Sequence, residues 1–393
     1  MPDLRLSVRS NPLLEFLYDR IDDLAAVNID GRPPAPFPYA DQWLLASTVQ
    51  KSIRRGDIAI ARRAGHQLLA LDRSRLWRRL MTVALEDIGI ADIDVTAELV
   101  AISTLSQGRR LLGGDTYALD IALVRACGAA KDRTGDHLNS IISREAMFDN
   151  DQAALRTASP SALLAMSASS HLPWTRRLRA AVLASGRSDF GFRIAPGISA
   201  VFDALRELGV PSLLLTACAS YAARQRDALP IFVPFAWVLH TPVCTDGVVT
   251  HDLSPPELIG ELPSYCFDPL HTRMGRRAVR LWLRSYLTIP IFGERQVAAC
   301  LWNAESAACD RTLVWSMSDE LHQRARRADL LFKGLPAERH AELNAWIARE
   351  RPTLTAARLA VWNSAAKALG KSAEMLEQAN LPLPVPARSQ RRG

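Results

Sequence analysis

The feature that most constrains this chain is a succession of capped helical patterns from Tyr39 to about Met147, with no alternating segment among them. Asp41 reads as the cap of a helix through Arg54 that ends at Gly56, and Asp57 as the cap of the next, through Leu71. Ser74 reads as the cap of a third helix, running through Ile88 and stopped by Gly89. Within it Trp77, Leu80, Met81, Ala84 and Ile88 share one face, while Arg75, Arg78, Arg79 and Glu86 point away. Further helices are expected at about 95–106, 116–130 and 136–147.

The flanking sequence extends the helical reading. A short amphipathic piece, Asn11 to Asp23, precedes GRPPAPFPYA, whose four prolines force an extended connection. Residues 150–184 are Ala/Ser-rich and helical in character with a break at Pro173, and residues 186–200 form a second linker. Helices are expected at about 199–208 and 211–226, then at 273–287, 292–308, 312–332, 336–350 and 352–379. The proline-rich stretch 228–272 carries few helix signals, and Ile231 to Val238 reads as a short strand. The fold class is therefore mainly α: a multi-helix array with an irregular Pro-rich segment and room for one short strand pair. The segments are 1–40 (helix and linker), 41–150 (helical module), 151–240 (helical middle), 241–380 (C-terminal helical region) and 381–393 (flexible basic tail).

Composition excludes several classes. Six Cys in 393 residues are too few for a disulfide scaffold, and Cys127, Cys218 and Cys300 sit in apolar surroundings. The longest uncharged run, Ala228 to Thr245, contains Pro230, Pro234 and Pro242, which argues against a membrane helix. A cytoplasmic, reduced protein without a membrane partner is expected. No P-loop, GxGxxG, HExxH, GxSxG or CxxC occurs, so no cofactor is implied and an enzyme is not expected. The net charge is +7, and 43 of the 48 basic residues are Arg, the side chain best shaped for phosphate.

The segment Trp43 to Asp92 contains Gln50-Lys51-Ser52-Ile53-Arg54, then Asp57, then Arg78, Arg79, Leu80, Ala84, Glu86, Asp87 and Gly89. In order and spacing these resemble the C-terminal helical region of the replication-associated recombination protein A family. Its members are clamp-loader-like ATPases related to the Werner-helicase-interacting protein. The family's ATPase module has no counterpart in this chain. The resemblance implies a clamp-loader-collar-like module that serves oligomerisation around DNA, and does not imply ATP hydrolysis. Lys51, Arg54 and Arg55 close one helix, where cations favour the dipole. With Arg78, Arg79, Glu86 and Asp87 they have two readings: a buried Arg–carboxylate network joining helices, or a phosphate or partner surface.

Three other groups stand out. In RMGRRAVRLWLRSYL, Arg273, Arg277, Arg280 and Arg284 form one stripe with Arg276 beside it, and Val279, Trp282 and Tyr286 lie opposite. Something anionic should sit nearby: phosphate backbone, or the chain's own Glu257, Glu261 and Asp268. His240, Cys244, Cys266 and His271 are weak metal candidates in H-x3-C and C-x4-H spacings that match no standard zinc module. Asp268, His271 and Thr272 cluster at a helix start, with Thr272 its N-cap. Finally, in K131-D-R-T-G-D136, Asp136 reads as an N-cap, with a catalytic reading of Asp132 and Arg133 beside it. The leading expectation is a non-enzymatic accessory protein of DNA replication or repair, a homo-oligomer that binds DNA or docks on a replication ATPase. The alternatives are a metal-dependent enzyme around His240, Cys266 and His271, and a purely structural oligomer.

Overall fold

The computed structural model describes residues 11–27, 32–145, 151–187, 197–240, 245–285 and 292–378. The protein is mainly α. Asn11 caps α1 (Pro12–Asp19) through its side chain, with proline at the first helical position, and α2 (Ile21–Ala25) follows. The helical module then runs α3 (Gln42–Arg54), α4 (Ile58–Leu71) and α5 (Arg73–Val83). Asp41 and Asp57 are the caps of α3 and α4, as their positions predict. The cap of α5 is Asp72, not Ser74: its carboxylate accepts from the Arg75 N–H at 2.9 Å. The helix also does not continue regularly to Ile88. It widens into a π turn at Ala84–Ile88, closed by Gly89 at φ +54°. A Cβ on Gly89 would stand 2.8 Å from the Asp132 carbonyl oxygen.

Next come α6 (Ile93–Thr104), α7 (Ser106–Leu111), α8 (Asp115–Gly128) and α9 (Thr134–Glu145). The middle of the chain holds α10 (Asp151–Thr157), α11 (Pro160–Ala168), α12 (Trp174–Ser185), α13 (Ile198–Glu207), α14 (Ser212–Ala222) and α15 (Leu229–His240). Helix α15 occupies the segment expected as a strand. Ile231, Phe232, Val233, Phe235 and Ala236 are all buried, so its β-branched, apolar composition reflects burial all round. Pro230 falls in its first turn, where a missing N–H costs little, and Asp227 accepts from the Leu229 N–H at 3.0 Å.

The C-terminal part opens with β1 (Thr245–Thr250), the short hairpin β2 (Leu258–Ile259) and β3 (Leu262–Pro263), and a 3-10 turn at Ser264–Cys266. Then follow α16 (Arg273–Arg284), α17 (Glu294–Leu301), a π turn at Trp302–Ser306, and β4 (Arg311–Trp315). Strand β4 replaces the start of the helix expected from 312. It pairs antiparallel with β1, Val248 opposite Leu313, while Lys131 bridges its other edge through two backbone bonds of 2.9 Å. The chain ends in α18 (Ser318–Phe332), α19 (His340–Arg349) and α20 (Arg351–Gln378).

One apolar cluster takes residues from Leu13 to Ala325 together with Trp362, so segments 41–150 and 151–240 share a core. A second, smaller cluster joins Val279, Trp282, Phe292, Leu301, Leu330, Leu343 and Leu354, from α16 to α20. Among the described residues no helix is long and apolar enough to cross a membrane.

Candidate functional site

Several charges of the helical module turn inward. Arg54 is 1% exposed. It donates through Nε to Asp87 at 2.6 Å, through one terminal nitrogen to Glu86 at 2.8 Å, and through the other to the Ser306 carbonyl at 2.7 Å. Burial works against this cation, and the Asp87 and Glu86 carboxylates outweigh it, so its pKa lies above the ordinary value. Gln50 donates to both carboxylates and accepts from Arg79 at 2.8 Å. Lys51, also buried, donates to Asp268 at 2.5 Å. Arg55 donates to the Glu305 carbonyl at 3.1 Å and lies over the Tyr265 ring. Arg78 is exposed.

This corrects the expectation for Lys51 and Arg54 as nucleic-acid contacts, whereas Arg55 is half-buried. Lys51 and Arg54 are enclosed, 3% and 1% exposed, so a phosphate cannot reach them without opening the core. Of the two readings of this motif, the buried network is the one realised. It extends to residues that no local pattern flags: Glu305 holds both Arg351 at 2.9 Å and the buried Arg358 at 2.7 Å.

Asp268, 0% exposed, is the hub of a second network. Besides Lys51 it accepts from the Leu270 and His271 N–H groups at 2.7 and 3.0 Å and from the His271 ring at 2.8 Å. Burial alone would raise its carboxyl, but the Lys51 ammonium and the His271 ring outweigh it and hold it far below the usual carboxylate range. Thr272 is the expected N-cap of α16, accepting from the Gly275 N–H at 2.9 Å.

The metal arrangement expected around these residues does not assemble. Cys244 lies outside the described residues. Cys266 is buried, which pushes its thiol up to about 12, away from the thiolate that binds metal. The ring of His271 turns to Asp268, and that of His240 packs against Trp237 and Trp315. Among the described residues no three His, Cys, Asp or Glu side chains converge to hold a metal.

The arginine stripe behaves differently. On α16, Gly275, Ala278, Val279 and Trp282 face inward, and Trp282 donates to Thr353 of α20 at 2.9 Å. Arg273, Arg277, Arg280 and Arg284 are exposed, whereas Arg276 is half-buried and donates to the Leu270 carbonyl at 2.8 Å. Tyr286 lies outside the described residues. None of the carboxylates expected to neutralise the stripe does so: Glu261 pairs with Arg63, Glu257 accepts from Thr355, and Asp268 is committed to Lys51. Arg280 pairs instead with Glu294, accepted by both carboxylate oxygens at 2.9 Å, and Arg277 reaches only the Ser364 hydroxyl, at 3.4 Å. Two grooves flank Arg280. One, of about 470 Å³, runs between Arg277, Arg284 and α20; the other, of about 460 Å³, holds Arg295, Gln296 and Lys333. Among the described residues, Glu294 is the one carboxylate lining either groove, against five cations.

A third cavity, of about 560 Å³, lies where the Lys131–Asp136 segment meets β4 and the start of α18. Asp132 accepts from the Thr134 hydroxyl and N–H at 2.6 and 3.2 Å, and burial pushes its carboxyl up to about 6 against those bonds. Arg133 is held by Asp136 and lies 3.4 Å from Asp87. His137, His251 and His322 also line the cavity. Sequence reasoning did not join the Lys131–Asp136 segment to His251 and His322, because more than 100 residues separate it from them and no spacing links them. No protein-family model, curated protein or solved structure matches the chain.

Proposed function

We propose that this chain is a non-enzymatic helical accessory protein of DNA replication or repair that contacts the phosphate backbone through the exposed face of α16. The observation that carries this reading is the row Arg273, Arg277, Arg280 and Arg284, which stands in solvent with one carboxylate partner among the described residues, Glu294. Guanidinium groups so placed repel one another, and phosphates spaced along a strand relieve that repulsion while releasing counterions. Arg295 and Lys333 continue the basic surface beyond Arg280.

The replication context rests on the resemblance of Trp43 to Asp92 to the clamp-loader-collar-like region. In this reading the buried Arg54–Glu86–Asp87 network is the module's internal frame, and its outer helix faces dock on a replication ATPase or on a second copy of the chain. The five described cysteines are buried free thiols, in keeping with a reduced, cytoplasmic setting.

The test is a fluorescence-anisotropy titration of single- and double-stranded DNA at several salt concentrations, with the wild type and a variant carrying Arg277→Gln, Arg280→Gln and Arg284→Gln. The variant should bind every sequence more weakly, and its slope of log affinity against log salt on duplex should be shallower by roughly 2–3, at about 0.9 per phosphate. No binding at low salt, or an unchanged slope in the variant, removes the DNA-contact reading.

A further inference from the structure

The third cavity has a cationic inner end. Arg133, His137, Asn303 and His322 line both the cavity and a narrow cleft between α9 and α18 that continues to Arg326. Arg133 is 7% exposed and Arg326 is half-buried. The Nε–H groups of both are buried and, among the described residues, have no hydrogen-bond acceptor. Asp87 stands 3.4 Å from Nε of Arg133, an ion-pair neighbour rather than an acceptor. Buried donors are nearly always paired, so two orphans at one end of one cavity call for an acceptor that the chain itself does not supply. Lys131 adds charge nearby but has no donor to spare, since its ammonium donates to the Cys127 and Ala129 carbonyls at 3.2 and 2.6 Å. The His137 and His322 rings share one hydrogen bond of 3.3 Å, which leaves each imidazole a second nitrogen.

We propose that this cavity binds a small phosphorylated molecule, its phosphate held at the inner end by Arg133, Arg326 and His322. A guanidinium fork matches phosphate oxygens, and one phosphate offers enough of them to serve both orphan donors. The volume of about 560 Å³ is far larger than a bare phosphate needs and falls in the range of small-molecule sites. The rest of the lining selects the body of the ligand. Thr312 and Ser318 offer hydroxyl groups, and Asp252 and Asp319 are exposed carboxylates. An ionised carboxylate only accepts, so these two favour hydroxyl groups and disfavour a second phosphate. Asp132 does not compete for the ligand, because it is committed to the Thr134 N–H and hydroxyl. The class that fits is therefore a sugar or nucleoside monophosphate. No residue of this cavity lines either groove beside α16, so the site is independent of DNA contact there.

Calorimetric titration of the full chain with ribose phosphate, adenosine monophosphate, inorganic phosphate and free ribose tests the assignment. One molecule of ribose phosphate per chain is expected, bound about tenfold or more tighter than inorganic phosphate, with no heat from ribose. Adenosine monophosphate binding tighter still would identify a nucleotide, and equal or weaker binding a sugar phosphate. Arg326→Gln should weaken ribose phosphate about fivefold or more, and so should His322→Gln, a change at an exposed position that carries the test if Arg326→Gln fails to fold. Asp252→Asn should weaken ribose phosphate and leave inorganic phosphate unchanged. Arg280→Gln, on α16, should bind as the wild type does. No binding of either phosphorylated compound by the wild type, wild-type affinity in His322→Gln, or loss of binding in Arg280→Gln would each overturn the site. Circular dichroism melts confirm which variants remain folded.

Discussion

Replacing Asp268 by Asn removes one charge from an enclosed ion pair and little else. The side chain keeps its size, and its carbonyl oxygen can still accept from the Leu270 and His271 N–H groups. What disappears is the carboxylate facing Lys51, with Nζ and oxygen 2.5 Å apart, 3% and 0% exposed. At that separation the attraction is about 6–7 kcal/mol for an effective dielectric of 20. Part of that is cancelled by the desolvation of both ions. The variant, however, leaves the Lys51 ammonium buried opposite an amide N–H₂, and losing one partner of a buried pair costs about 3–5 kcal/mol. Urea denaturation at pH 7 should therefore show a midpoint lower by about 1 M or more, at a slope near 3 kcal/mol/M for a chain of this size. The double variant Asp268→Asn with Lys51→Met removes the stranded charge and should recover at least half of the loss. The effect has a defined pH window. The folded pKa of Asp268 is depressed, so its contribution is complete above the unfolded carboxyl pKa of about 3.9 and fades as pH falls below it. The difference between wild type and Asp268→Asn should shrink accordingly below about pH 4. A single variant within 1 kcal/mol of wild type at pH 7, or a double variant no better than the single, would refute this account.

Asp132 works in the opposite sense: its folded carboxyl sits at about 6, above the unfolded value, so wild type should lose stability as pH rises from about 4 to 6, by up to about 3 kcal/mol. Asp132→Asn should lack that decline, which chemical denaturation across this range would show. Gly275→Ala should lower the melting temperature although alanine favours helices by up to about 1 kcal/mol. Its Cβ would meet the Asp268 and Phe267 carbonyl oxygens at 2.4 and 2.5 Å, and such overpacking costs about 1–3 kcal/mol. The triple Gln variant of Arg277, Arg280 and Arg284 should melt with the wild type, since the stripe's ion pair, Arg280–Glu294, is exposed; a large fall would mean that the row serves stability.

The mainly α class was legible in the sequence because caps and apolar periodicity act within one or two turns: Asp41, Asp57 and Thr272 cap the helices that their positions predict. The exposed arginine face was legible for the same reason, since four residues at helical spacing share a face in any helix. Tertiary context decided the rest. Ile231 to Val238 is a helix because burial all round removes the alternation that separates strand from helix. Residues 311–315 are a strand because β1 and Lys131 occupy the two edges of that segment, which its own composition could not announce. The cations of Lys51 and Arg54 are buried because their carboxylates, Asp268 on one side and Glu86 and Asp87 on the other, arrive from segments 32 to 217 residues away. His137 and His322 meet across a separation of 185 residues. A local pattern records what one turn needs, whereas charge pairing across the chain depends on distances that exist only once the helices have packed.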